Sequence, residues 1–368
     1  MSNLTTRPDA ELEVGAGSGV AASLNGQGTS GGVLPDWAPY GVVIGAALLA
    51  TGLTVLAGIF SIAMLLIFTA VLSCAGIYLW SRSVEGRRRA TDRLVTFSIT
   101  FAFAVAVAPL ISLLYEVVSR GVARFDLPFF TDTARNVVGE GGGASHAIVG
   151  TLVITGVATV ISVPIGLMAA IYLNEYGTGR LRKLLTFFVD VMTGIPSIVA
   201  GLFAFALFAL IFGPGIRLGV MGAVALSVLM IPIVIRSAEE ILKIVPNHLR
   251  EASYALGTPK WKTVVRVVLP TALAGLVTGV MLAVARIIGE TAPLLVTTGV
   301  VDSINSNPFD GRMQNLAVYA FNEYKNPGVM KDAAYDRAWA AALTLLAIVM
   351  LLNLVARFVY RRYGTEIR

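Results

Sequence analysis

The stretch RSAEEILKIVPNHLREASYALGTPKWKTVVRVVLP, residues 236–270, is mixed in character and sits between two apolar runs, 218–235 and 267–292. Its Ile241, Leu242, Ile244 and Val245, then Leu249, Ala252, Ala255 and Leu256, recur at spacings that put apolar side chains on one face of short helices. Pro246 and Pro259 break those helices. Amphipathic helices outside a bilayer need something to bury against, and the pattern alone leaves two choices, a membrane surface or a protein partner.

The flanking runs belong to a chain that is apolar almost throughout. Of 368 residues 56% are hydrophobic and only 14% charged, whereas soluble chains carry about 25% charged residues. Soluble-enzyme folds are excluded on that deficit, and the fold class expected is an all-α integral membrane protein. From Trp37 to Ser81 no charged residue occurs. As one helix that run would extend roughly 65 Å, twice the ~30 Å of a hydrocarbon core. It must fold back near Gly58, which predicts spans at 39–57 and 60–80. Further spans are predicted at 94–115, 147–174, 184–212, 218–235, 267–292 and 338–356, about eight in all.

The net charge of +6 resides largely in basic clusters beside the spans, where Lys and Arg set topology, so no nucleic-acid partner is read from it. Placing both termini in the cytoplasm puts nineteen basic residues inside and eight outside, with Arg286 left within a span. Residues 1–36, rich in Gly and Ser and short of aromatics, are expected to form a disordered cytoplasmic tail. One cysteine, Cys74, excludes an internal disulfide, and two distant histidines, His146 and His248, offer no metal site. The polar outer segment SINSNPFDGRMQN, 303–315, suits either a cover over a pore mouth or a contact with an external partner.

Ionisable residues at membrane depth are expensive and normally face a bundle interior or a water-filled path. Arg286 and Glu290 stand four residues apart in MLAVARIIGETAPLLV, on one face of a continuous helix. Either they form an ion pair that locks helices together, or Arg286 presents its fork of donors to an oxyanion while Glu290 steadies it. Asp190 reads as a structural partner for an arginine of a neighbouring helix. The Pro196 and Ser197 that follow it supply a kink suited to a gate or to close packing.

At Glu251-Ala252-Ser253, Gly257 and Val267-Val268-Leu269-Pro270 the chain resembles the permease subunits of bacterial ABC importers. The family's cytoplasmic signature is Glu-Ala-Ala, three residues, Gly, nine residues, then Ile-x-Leu-Pro; Ser253 and Val267 are its two departures here. The resemblance implies that the loop is a coupling helix seated in an ATPase groove, with Arg250, Glu251, Ala252, Ser253, Gly257 and Lys260 at the contact. IPIVIRSAEEILKIVP, REASYALGTPKWKTV, ARIIGETAPLL, DVMTGIPSIVAGLF and AIYLNEYG narrow the resemblance to the A-type permeases of bacterial phosphate importers, over residues about 92–368.

That resemblance implies a six-helix permease core at 92–368 with a cytoplasmic coupling loop at 237–266. Ahead of it stands an accessory hairpin with a basic loop, 37–91. It implies a multi-pass subunit of the bacterial cytoplasmic membrane, not itself an enzyme, that forms half of a path for inorganic phosphate. Arg236 and Arg286 match two family arginines regarded as important for phosphate passage, although Arg236 also reads as a snorkelling topology residue. The implied partners are a C-type permease, an ATPase dimer, an extracytoplasmic phosphate-binding protein and membrane lipid. No glycine-rich phosphate loop with its lysine occurs in the chain, so ATP and Mg are expected on the ATPase and no cofactor here. Sulfate, molybdate or phosphonate are alternative cargoes. An intramembrane lipid enzyme finds no catalytic cluster, and a mere scaffold leaves Arg286 and the loop unexplained.

Overall fold

The computed structural model describes residues 34–35, 37–58 and 61–363. Apart from Leu34 and Pro35, the tail expected over 1–36 lies outside the described residues. Among those described, every regular element is a helix, and the chain divides into two compact units, 1–112 and 113–368.

The first unit opens with α1 (Ala38–Leu56) and α2 (Ile62–Val84), an apolar hairpin that turns after Gly58, whose φ of +66° suits a residue without a side chain. Trp37 and Trp80 meet edge to face at 6.1 Å. After a turn at Gly86 comes α3 (Arg87–Gly121), longer than the 94–115 read from the apolar run because Arg93 and Glu116, which bound that run, are themselves helical. The turn is pinned from within. The Glu85 carboxylate, 1% exposed, accepts from Arg93 Nε at 2.6 Å, from Ser81 Oγ at 2.7 Å and from the Leu34 amide at 2.8 Å. The boundary between the units falls inside α3, at Ser112.

The second unit continues through the short α4 (Leu127–Thr131) to α5 (Ser145–Ile171), which ends in a π-helical turn at Tyr172–Tyr176. Next come α6 (Gly179–Thr193) and α7 (Ser197–Phe212), then α8 (Gly219–Ile244) and α9 (Asn247–Ala255). The short α10 (Lys260–Thr263) runs through a second π-helical turn, Val264–Val268, into α11 (Leu269–Ile288) without a break. The chain finishes with α12 (Ala292–Thr297), α13 (Leu316–Lys325) and α14 (Lys331–Tyr363).

Among the described residues seven helices are long and apolar enough to cross a membrane, and the α6–α7 pair supplies an eighth passage if counted as one broken span. Here the sequence expectation needs correction: 184–212 is not one helix, because α6 and α7 meet at 106°. Pro196 has no N–H to donate and takes extended backbone at ψ 137°, so the helix cannot propagate through it. A second correction concerns 236–244, which are no separate amphipathic helix but the last turns of α8. Leu242 and Val245 are buried as the pattern demanded, whereas Ile244 is 74% exposed.

The core lies where α5, α8 and α11 meet, around Ile154, Leu226, Met230, Ala283 and Ile287, with Leu294 of α12 closing it. A second cluster joins the two π-helical turns to α6 and α8 through Leu173, Val268, Val189 and Leu242. The segment 299–335 is less irregular than its polarity implies. Asn315 caps α13 by accepting from the Val318 amide at 3.1 Å, and Leu316 and Tyr319 are buried against Phe129 and Ala147.

Candidate functional site

The bend at Pro196 opens a cavity of about 360 Å3. Met192 and Thr193 reach it from α6, Ser197 from the first turn of α7, Leu229 and Pro232 from α8, and Arg286 from the last turn of α11; Glu290 follows. The leading amides of a helix have no intrahelical acceptor and carry the positive end of its dipole. The site sets one guanidinium, of Arg286, and one carboxylate, of Glu290, among small hydroxyl and apolar walls, and the guanidinium is the group suited to a compact anion.

What places Arg286 and Glu290 there is the abrupt end of α11. Gly289 caps it, the Glu290 amide bonds Ile287 O at 3.1 Å, and Pro293 stands in the first turn of α12. Gly201 is the reason α12 can sit so close: a Cβ at that position would lie 2.6 Å from the Pro293 Cα. Because the helix stops at Ile288, the four-residue spacing no longer sets Arg286 and Glu290 on one helical face. They line the same cavity, but no ion pair joins them among the described residues.

Arg236 stands three residues beyond the cavity-lining Ile233 on α8. Its guanidinium bonds Asp190 of α6 and, at 3.1 Å, Glu239, which in turn holds Lys243 at 2.8 Å. Asp190 thus has an arginine partner on a neighbouring helix. Pro196 supplies the bend and Ser197 faces the cavity.

The signature loop forms the second candidate surface, and its residues divide into two sets. Arg250, only 12% exposed, points inward to Glu175 at 2.8 Å and to the carbonyls of Val245 at 2.6 Å and Leu242 at 3.0 Å, tying α9 to the ends of α5 and α8. Ser253 is buried and shares a hydrogen bond of 2.9 Å with Thr263. These two brace the loop from inside, a correction to their expected place at a partner contact; the carbonyls left open at the end of α8 attract the guanidinium. Glu251, Ala252, Gly257 and Lys260 are exposed, beside Leu256 at 86% and Trp261 at 62%. Gly257, with φ +73°, makes the turn that sets α10 against α9. Lys260 lies over the Tyr176 ring at 5.1 Å.

Glu175 and Thr263 were not singled out from sequence. Both lie within quoted motifs, AIYLNEYG and TPKWKTV, yet nothing in their spacing announces partners 75 and 10 residues away.

Residues 162–368 match the family described as "Binding-protein-dependent transport system inner membrane component". The "Phosphate transport system permease protein PstA 1" of Mycobacterium tuberculosis (strain CDC 1551 / Oshkosh) is 47% identical over 287 residues, 76% of this chain and 93% of that protein. The PstA of Yersinia pestis is 36% identical over 282 residues, again 76% of this chain and 94% of the relative. A solved bacterial alginate ABC transporter, in complex with an alginate pentasaccharide-bound periplasmic protein, shares the fold with a TM-score of 0.52 at 14% identity. It covers 76% of this chain and 98% of that one. On its family match and on this run of relatives, the chain belongs to the inner membrane components of binding-protein-dependent transport systems, and among them to the PstA permeases.

Proposed function

We propose that this chain is a permease subunit of an ATP-driven importer of inorganic phosphate and forms half of its translocation path. The observation that carries the reading is the convergence of Arg286 and the first turn of α7 on one small cavity. The planar guanidinium of Arg286 matches a tetrahedral oxyanion with paired donors, and Ser197 of α7 lines the same cavity. Arg236 already has two carboxylate partners, so its part is to bind α6 to α8 at the edge of the path unless an anion displaces Asp190. Glu290 lines the same cavity as a neighbour of Arg286 and not as a ligand, because a carboxylate facing a phosphate dianion is repulsive.

The exposed edge of α9 and α10, with Glu251, Ala252, Gly257, Lys260 and Trp261, is the seat for a cytoplasmic ATPase dimer, which binds the ATP and Mg. Both termini are then cytoplasmic. A C-type permease completes the path, and an extracytoplasmic phosphate-binding protein delivers the anion.

The test is uptake of radiolabelled phosphate at low concentration by cells lacking their own high-affinity system, with this chain and its neighbouring subunits restored. Uptake is expected to need ATP and to resist excess sulfate or molybdate. Arg286→Gln is expected to lower it at least about tenfold, the worth of one charge-assisted hydrogen bond, while the protein still assembles with its ATPase. Abolition by either competitor would move the cargo to another oxyanion. Normal uptake by Arg286→Gln would remove that residue from the path.

A further inference from the structure

The first turn of α3 carries Arg87, Arg88 and Arg89 and no acidic residue. All three are exposed, and among the described residues none has an ion-pair partner. They line one depression of about 920 Å3 with Thr91, Asp92 and Val95. Asp92 offsets a single one of these charges, and the neighbouring Arg93 and Glu85 neutralise each other at 2.6 Å. Two positive charges are left in excess. They sit at the start of a helix, where the dipole is itself positive and repels cations. Such a face is stabilised by an anionic cover.

The chain places its own anions within reach of this face. Leu34, buried at the α2–α3 turn, donates its amide to Glu85 at 2.8 Å and accepts from Arg93 at 3.4 Å through its carbonyl. Arg93 stands about one turn of α3 beyond Arg89. The sequence ahead of Leu34 therefore departs from beside the three arginines. Its acids lie close together, Asp9, Glu11 and Glu13, and with Arg7 they carry two net negative charges, the number that the face lacks. Residues 14–33, rich in Gly and Ser, join Glu13 to Leu34. A tether of that length and composition has an average reach of about 25 Å, more than the one or two helical turns to be covered. We propose that Asp9, Glu11 and Glu13 dock on Arg87, Arg88 and Arg89, so that the chain's own N-terminal segment covers its basic face. Anionic headgroups bring the same charge, but they must be gathered one at a time. The three carboxylates arrive together on one tether, at an effective concentration in the millimolar range.

The distance between spin labels on Ala10→Cys and Ser83→Cys tests the assignment, measured on the full chain in phosphatidylcholine nanodiscs with Cys74→Ser removing the native thiol. Docking is expected to centre that distance below about 20 Å, against about 27 Å for an undocked tether. Two sets of substitutions are each expected to restore the longer value: Arg87→Gln with Arg88→Gln and Arg89→Gln, or Asp9→Asn with Glu11→Gln and Glu13→Gln. The second set leaves α1, α2 and α3 untouched, so a misfolded hairpin cannot mimic its effect. Salt at about 1 M, which screens charges beyond ~3 Å, is expected to act in the same way. A parent distance at the longer value, or a short one that either set leaves unchanged, would overturn the proposal. So would loss of the short distance when phosphatidylglycerol replaces half of the phosphatidylcholine, since lipid would then be the occupant of the arginines.

Discussion

Arg250 and Arg286 show how little a residue's type says about its task. Both are arginines near carboxylates in sequence, yet Arg250 is spent on Glu175 and two carbonyls, while Arg286 reaches a cavity that Glu290 also lines without pairing with it. Removing Arg250 would strand Glu175, 5% exposed, as an unpaired buried charge. Breaking such a pair typically costs about 3–5 kcal/mol. Arg250→Ala is therefore expected to loosen α9, seen as faster amide hydrogen exchange across Asn247–Ala255 with the α5–α8–α11 core unchanged; unchanged exchange in α9 would show that the pair does not hold it. Sequence reading found Arg286 because a charge in an apolar run is conspicuous. It paired Arg286 with Glu290 because spacing counts residues as if the helix continued, and only the structure reveals the stop at Gly289.

Among the elements, the α6–α7 bend and the α2–α3 turn are each set by one or two residues. Gly201 lets α12 approach α7, and an added methyl there meets backbone rather than a side chain that can swing away. Gly201→Ala is expected to cost about 1–3 kcal/mol through overpacking, read as a lower thermal unfolding temperature. Because α12 follows Glu290, it is also expected to weaken phosphate uptake. At the other turn, hydrogen bonds from Arg93 hold the Glu85 carboxyl down at about 2, against an ordinary value of 4.5. A lowered carboxyl contributes stability above its ordinary value and loses it as pH falls through the folded one. Glu85→Gln should therefore unfold at lower temperature than the parent near pH 7, with the difference shrinking between pH 4.5 and about 2; a difference that persists through that window would rule the carboxylate out as its source. The presence of a kink at Gly194-Ile195-Pro196 was legible in the sequence. Its 106° was not, since proline removes a donor but leaves the new direction to the packing of α7 against α12.

For the whole molecule, the apolar runs marked nearly every helix, and the Glu-Ala-Ser loop marked the family. Hydropathy ends where charge begins, however, so it cut α3 and α8 short at arginines that helices carry without difficulty. It was silent on which loop side chains turn inward. One feature of the second unit joins the two candidate surfaces. The exposed Trp261 and Arg286 belong to a single unbroken helical run, Lys260–Ile288, carried across the π-helical turn at Val264–Val268. At 1.5 Å per residue its 29 residues make a shaft about 43 Å long. Under the proposed function, a push from an ATPase at the Trp261 end has one continuous helical run to travel along toward Arg286. Reciprocity then applies: by whatever factor an anion beside Arg286 changes the grip of a partner at Trp261, that grip changes the anion's affinity. Under the proposed function, the shaft makes the chain a sensor of its own cargo as well as a conduit for it.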